Sequence, residues 1–109
     1  MSETLTPARR VRSMDELIVP GDYYLGDGEP GSRSLWFLLP TAESADAFAE
    51  PRNPHNGPHR IAEKFPNRNV GWTITEHEDG SVSAQPSIAC GLPAYWHGFL
   101  EPGNVWRQV

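Results

Sequence analysis

Cysteine is almost absent from this chain of 109 residues, which contains only one. A single cysteine excludes a disulfide within the chain and favours a reducing compartment. No apolar run approaches the roughly 20 residues that a helix needs to cross a bilayer, and the N-terminal segment lacks the apolar stretch of a signal peptide. The sequence therefore predicts a cytosolic protein that does not contact a membrane.

Basic residues are also few. Nine Lys and Arg stand against 14 Asp and Glu, which gives a formal net charge of −5. Binding to nucleic acid generally needs a basic stripe that displaces counterions from the phosphates, so direct contact with nucleic acid is not expected. An acidic surface fits solubility, or docking onto a basic face of another protein.

Glycine and proline are abundant, with 10 and 11 residues, and the chain carries four Trp and four Phe. Glycine and proline favour turns and short elements, while large aromatic side chains fill a small core efficiently. A chain of this length forms one domain with one core. We predict an α+β, β-rich fold: a single small, mostly antiparallel sheet of about five or six strands with two short helices.

Two hairpins are the best-defined units. Asp79-Gly80 separates two alternating segments, 72–77 and 81–85, and this dipeptide is a strong signal for a hairpin turn. A second hairpin is predicted for 95–100 and 105–109, because the intervening Pro102-Gly103 suits a type II turn.

The remaining elements are shorter. The longest apolar run, Leu35 to Leu39, predicts a further strand of the same sheet, buried on both faces. Ser13 and Glu16 form a capping box that opens one helical turn. The two short helices are predicted at 41–50 and at 58–65, where Ile61 and Phe65 are four apart. Residues 1–12 are predicted to be a flexible arm and residues 13–109 the folded domain.

The segment 85–106 is predicted to be a structural corner. Pro86 is expected to end one strand, with the loop 89–94 crossing to the next. Alternation places Tyr95, His97 and Phe99 on one face of that strand, and we expect this face to be the buried one. The predicted core comprises Trp36 or Phe37, Trp72, Ile74, Phe99 and Trp106.

Histidines are the only candidates for a metal site. His55 and His59 are four apart, a spacing that suits two ligands on one helix face, but Pro54 and Pro58 break any helix there. With His97 or a carboxylate they could complete a site, although the sequence favours no bound metal. Cys90 and His97 could also pair as nucleophile and base, but nothing nearby would activate the thiol.

The C-terminal residues contain five motifs that together suggest a relationship: Trp72-Thr73-Ile74, Pro86-Ser87-Ile88, Trp96-His97-Gly98-Phe99, Gly103 and Val105-Trp106. They resemble the pattern of a family of small proteins of unknown function carried by phages and mobile elements, some of which bear the label "ammonia monooxygenase". The resemblance covers the last third of the chain best and the front half in outline.

This chain departs from the family in its cysteines. In many relatives, closely spaced cysteines follow the strand that matches Leu35 to Leu39, and the resemblance implies a metal-binding knuckle there. In many relatives another cysteine precedes the histidine that matches His97. Here the first position has no cysteine, and the second retains at most Cys90. A tetrahedral thiolate site cannot be built from one sulfur, so packing is expected to replace any metal.

Two hypotheses about function follow. The first is a non-enzymatic accessory protein of phage or mobile-element origin that binds a host or virion protein, either as an anti-CRISPR-like inhibitor of host defence or as a decoration protein. The second is a small metal-assisted enzyme using His55, His59 and His97. We favour the first, with no cofactor and a location in the host cytoplasm or the virion. The sequence leaves the oligomeric state open.

Overall fold

The computed structural model describes residues 4–28, 30–40, 58–65, 70–90 and 96–109. Over those residues the chain is β-rich, with nine strands and a single turn of 3-10 helix at Met14–Glu16. In chain order the strands are β1 (Thr4–Pro7), β2 (Arg9–Arg10), β3 (Asp22–Asp27), β4 (Arg33–Phe37), β5 (His59–Ala62), β6 (Thr73–Glu76), β7 (Val82–Cys90), β8 (Trp96–Glu101) and β9 (Val105–Gln108).

The strands form two sheets. A five-stranded sheet has the order β1-β9-β8-β7-β6, and a four-stranded sheet has the order β2-β3-β4-β5. All neighbouring strands are antiparallel except β2 and β3, which are parallel. A bridge between Glu63 and Trp72 links the end of β5 to the start of β6. Because β1 also continues into β2, the two sheets are joined at both sides.

The β-rich, mostly antiparallel character is confirmed, but the prediction of one sheet with two helices does not match the structure. Strand β4 lies in the four-stranded sheet, whereas both predicted hairpins lie in the five-stranded sheet. The segment 58–65, predicted as a helix, contains β5. Residues four apart share a face in a strand as well as in a helix, so Ile61 and Phe65 could not distinguish the two. The helix predicted at 41–50 lies outside the described residues.

The N-terminal segment, predicted as a flexible arm, contributes two strands. Strand β1 pairs with β9, from Thr4 opposite Gln108 to Pro7 opposite Val105, and β2 pairs with the start of β3. Ala8 N–H donates to the carbonyl of Asn104 at 2.9 Å. Because alternate residues of an antiparallel strand hydrogen-bond to the same neighbour, the backbone nitrogen of Pro7 points away from β9. An edge strand tolerates proline at such a position.

Both predicted hairpins are confirmed. Strands β6 and β7 pair in register from Thr73 opposite Gln85 to Glu76 opposite Val82, and Gly80 in their turn has a φ of 86°. Strands β8 and β9 pair around Gly103, whose φ of 87° is the positive value that a type II turn requires after its proline.

Pro86 does not end a strand, contrary to the prediction. Strand β7 runs from Val82 through Pro86 to Cys90, and its register against β8 shifts between Ala84 and Ile88. A proline is tolerated in a strand where an irregularity removes the need for its N–H. The predicted crossing at 89–94 is therefore partly strand, and residues 91–95 lie outside the described part of the chain.

The main apolar core lies between the two sheets. The Trp106 ring meets Phe37 of the four-stranded sheet at 5.3 Å and Trp96 of its own sheet at 5.6 Å, between ring centroids. Its Nε1 donates to the Gly21 carbonyl at 2.8 Å. Burial of the predicted core residues Phe37, Ile74 and Trp106 is confirmed, whereas Trp36 and Trp72 are half-buried.

The alternation predicted for β8 is correct, but the predicted buried face is wrong. Trp96, Gly98 and Leu100 face the core, while His97 and Phe99 are half-buried on the other side. A side chain at Gly98 would place its Cβ against the backbone carbonyl of Arg107 in β9, and 2.7 Å from the Trp96 ring. Glycine is therefore required there by the close approach of β9 and of the Trp96 indole.

We expect Trp106→Ala to lower the free energy of unfolding by about 3–5 kcal/mol, because it leaves a cavity between the sheets and removes a buried hydrogen bond. Phe99→Ala, in the same hairpin, should cost less than about 2 kcal/mol because its ring is only half-buried. Urea unfolding of both variants measures the difference. Equal losses would contradict the assignment of faces in β8.

Candidate functional site

A network of charged side chains joins the two sheets. Arg33, at the start of β4, donates from Nε and Nη2 to the two carboxylate oxygens of Glu63 at 2.9 and 2.7 Å. Its Nη1 donates to Glu76 of β6 at 2.9 Å, and its Nη2 to the carbonyl of Ile74 at 2.9 Å. Arg10 donates to the other oxygen of Glu76 at 2.9 Å. The bidentate geometry fixes orientation as well as distance, so this network fastens β6 to the opposite sheet.

The pKa of Glu63 is lowered by this arrangement. The side-chain hydrogen bond from Arg33 is the largest influence, burial opposes it by favouring the neutral acid, and the Arg33 backbone N–H adds to the lowering. The same contact raises the pKa of Arg33. Both groups are therefore charged over the physiological range, which suits a structural ion pair better than an acid or base in catalysis.

Asp22 is a buried carboxylate, with 1% of the residue exposed. Burial is the largest influence on its pKa and would raise it, but hydrogen bonds from Arg9, Val19 and Ile18 together lower the pKa. The Arg9 guanidinium lies 2.7 Å from one carboxylate oxygen, and the amides of Ile18 and Val19 donate to that oxygen at 3.0 and 2.9 Å. Asp22 therefore fixes the loop that leads from the 3-10 turn into β3.

His97 forms a polar pair with Ser87. Its Nε2 lies 2.8 Å from the Ser87 hydroxyl oxygen on the outer face of the five-stranded sheet. This distance suits a nucleophile and its base, but such a pair also needs a third group that orients the imidazole. Among the described residues no carboxylate is hydrogen-bonded to His97. The Ser87 hydroxyl is thus the hydrogen-bond partner of the His97 ring.

The candidate metal ligands are not brought together where the structure describes them. His59, in β5, faces the core and stacks on Phe37 with 5.8 Å between ring centroids, whereas His97 faces outward from the other sheet. No group of three or more His, Cys, Asp and Glu side chains in the described ranges is placed to hold a metal ion. His55 lies outside those ranges, as does the side chain of Cys90.

The outer face of β1, β9 and β8 carries a strip of partly apolar side chains. Leu5 lies opposite Arg107, which lies opposite Phe99, and Val109 follows on the same face. Leu5 and Val109 are 64% and 55% exposed. The Arg107 guanidinium lies 4.3 Å from the centroid of the Phe99 ring, and its Nε is 2.5 Å from Glu101. We call Leu5, Phe99, Arg107 and Val109 the outer strip.

Sequence reasoning missed the charged network and the outer strip. Arg33 and Glu63 are 30 positions apart, and Arg33 and Glu76 are 43 apart, so no local pattern connects them. The outer strip depends on β1 pairing with β9, which the polar composition of the N-terminal segment gave no reason to expect. The sequence did contain a signal for the two faces of β8. Gly98 shares a face with Trp96, and glycine beside a tryptophan indicates close packing on that face, which leaves Phe99 on the outer one.

Because the pKa of Glu63 is lowered by folding, its contribution to stability is complete above its ordinary pKa, near 4.3. That contribution is lost as the pH falls through the lowered value. We therefore expect Glu63→Gln to destabilise the protein at neutral pH and to flatten the acid limb of a plot of unfolding free energy against pH. Urea unfolding over a pH series measures both effects.

The exposed Glu78 of the β6–β7 turn is the control, because it makes no ion pair with the described residues. Glu78→Gln should leave both neutral stability and the acid limb close to those of the parent. An acid limb for Glu63→Gln as steep as the parent's would contradict the role given to the network.

Comparisons with known proteins add no relative: no family model, no curated protein and no solved structure matches this chain. Within the described residues, no helix is both long and apolar enough to span a membrane. The case for function therefore depends on the geometry of the chain itself.

Proposed function

We propose that this chain is a non-enzymatic accessory protein that binds another protein through the outer strip. The observation that carries the proposal is the exposure of Leu5 and Val109, at 64% and 55%, beside Phe99 on one sheet face. Single exposed aliphatic residues are common on protein surfaces, whereas neighbouring apolar side chains within a polar rim are typical of contact sites.

The neighbouring side chains strengthen this interpretation. Arg107 lies over the Phe99 ring and is held by Glu101. Arginine and large aromatic side chains are the types that dominate binding energy at interfaces. Because these residues stand on paired strands, little conformational entropy would be lost when a partner binds. The face is thus already ordered for contact.

The partner in this proposal is a host or virion protein. This part rests on the sequence resemblance to phage and mobile-element proteins, and it has two versions: inhibition of a host defence complex, as anti-CRISPR proteins do, or decoration of a capsid or tail. The net charge of −5 supports a partner with a basic rim around an apolar centre. We do not propose the metal-assisted enzyme, because His59 faces the core between the sheets, whereas His97 lies on the outer face of the five-stranded sheet.

The proposal is tested by placing a photo-crosslinking amino acid at Leu5 in the full chain produced in its host. The expected result is one discrete adduct, identified by mass spectrometry. An adduct found in cell extract favours the host-defence version, and one found in purified particles favours the decoration version. The same amino acid at Val70, which is 79% exposed and lies beside β6 at the other end of the sheet, should give no such adduct.

A second variant tests whether the contact is apolar. Val109→Glu should reduce the yield of the Leu5 adduct about tenfold or more, because a charge would be buried against the partner, while the melting temperature stays near that of the parent. Adducts of equal yield from Leu5 and Val70, or none from Leu5, would overturn the proposal.

A further inference from the structure

The four-stranded sheet has an incomplete edge. Strand β3 runs over six residues, Asp22–Asp27, but β2 pairs only with its first two, Asp22 and Tyr23. The last hydrogen bond of this ladder joins the Val11 N–H to the Tyr23 carbonyl at 2.8 Å. Beyond it the chain turns away toward the 3-10 helix. Among the residues that the structure describes, no strand therefore lies beside the second half of β3, and the position of a neighbouring strand is open there.

The backbone of β3 presents hydrogen-bonding groups to this open position. Leu38 N–H donates to the Asp22 carbonyl at 3.0 Å, and Tyr24 lies opposite Trp36. In an antiparallel ladder alternate residues bond to one neighbour, so Asp22 and Tyr24 face β4. The amide and carbonyl of Leu25 consequently face the other way, toward the open position beyond the end of β2.

Side chains shape the open position into a groove with a volume of about 390 Å³, lined by Arg10, Val11, Arg12, Tyr24 and Leu25. Its polar side chains at the β2 end are cationic, although the chain as a whole is acidic. Arg10 already contacts Glu76. Arg12 is exposed and forms no ion pair with the rest of the described chain.

We propose that this groove binds an extended acidic segment of a partner protein, which continues the line of β2 and adds a strand to β3. Such a segment would pair with the Leu25 backbone, set alternate side chains against the apolar lining, and place carboxylates beside Arg10 and Arg12. A small anion would use only the arginines and would leave the Leu25 backbone and the apolar wall without a role. The groove is separate from the outer strip, so this inference stands or falls independently of the proposed function.

The test uses a fluorescein-labelled peptide of about seven residues that alternates Glu and Val, long enough to form one strand. Binding to the full chain is followed by fluorescence anisotropy, and NMR locates the affected amides. We expect saturable binding with shifts at Leu25 and Val11. A peptide that alternates Gln and Val should bind more weakly, because it lacks the charges.

Three variants separate the parts of the proposal. Arg12→Gln should weaken binding of the acidic peptide about three- to tenfold, the range of one charge-assisted contact. Arg60→Gln, on the far strand β5 of the same sheet, makes the same change of charge and should leave binding unchanged. An acidic peptide N-methylated at alternate amides keeps its charges but cannot pair as a strand, and should not bind.

Several outcomes would overturn the inference. If the N-methylated peptide binds as well as the parent peptide, the contact is electrostatic and not strand addition. If the acidic peptide gives no shift at Leu25 while inorganic phosphate shifts Arg10 and Arg12, the groove is a small-anion site. Equal losses from Arg12→Gln and Arg60→Gln would show that overall charge, and not this groove, governs binding.

Discussion

The two sheets depend on the indole of Trp106. It comes from β9, lies between Phe37 and Trp96, and sends its one polar atom to the Gly21 carbonyl. A fully buried indole removes a large apolar area from water, and its N–H must find a partner once buried. Because that partner lies in the turn before β3, a single side chain sets both the separation of the sheets and the path of the chain into the second one.

The charged network lies beside β6, an edge strand of the five-stranded sheet. Arg33 covers the outward carbonyl of Ile74 on β6 while it holds Glu63 and Glu76. An edge strand with free backbone groups invites pairing with another chain, and proteins commonly cover such edges with charged side chains. The edge of β6 is thus closed by an arginine, whereas no described side chain covers the edge of β3 beside Leu25 in this way. This contrast supports recognition at the second edge.

The sequence allowed prediction of those parts of the fold that are encoded locally. Asp79-Gly80 and Pro102-Gly103 each mark a turn within a few residues, so both hairpins could be predicted, whereas their registers depend on the exact loop length and were not. The four-residue spacing of Ile61 and Phe65 is compatible with both a helix and a strand, and only the pairing of β5 with β4 selects the strand. For β8 the alternation was visible but does not itself choose the buried face, for which Gly98 beside Trp96 was the local sign. No local pattern reveals the outer strip, which exists only because β1 lies beside β9.

The pairing of β1 with β9 also constrains the order of events during synthesis. Thr4 lies opposite Gln108, so β1 cannot find its partner until β9, about a hundred residues later in the chain, has been synthesised. Contacts between residues this distant close a long loop and form slowly. Until then β1 remains unpaired, and so does the edge of β8 that β9 will cover. The five-stranded sheet can therefore be completed only after translation has passed β9.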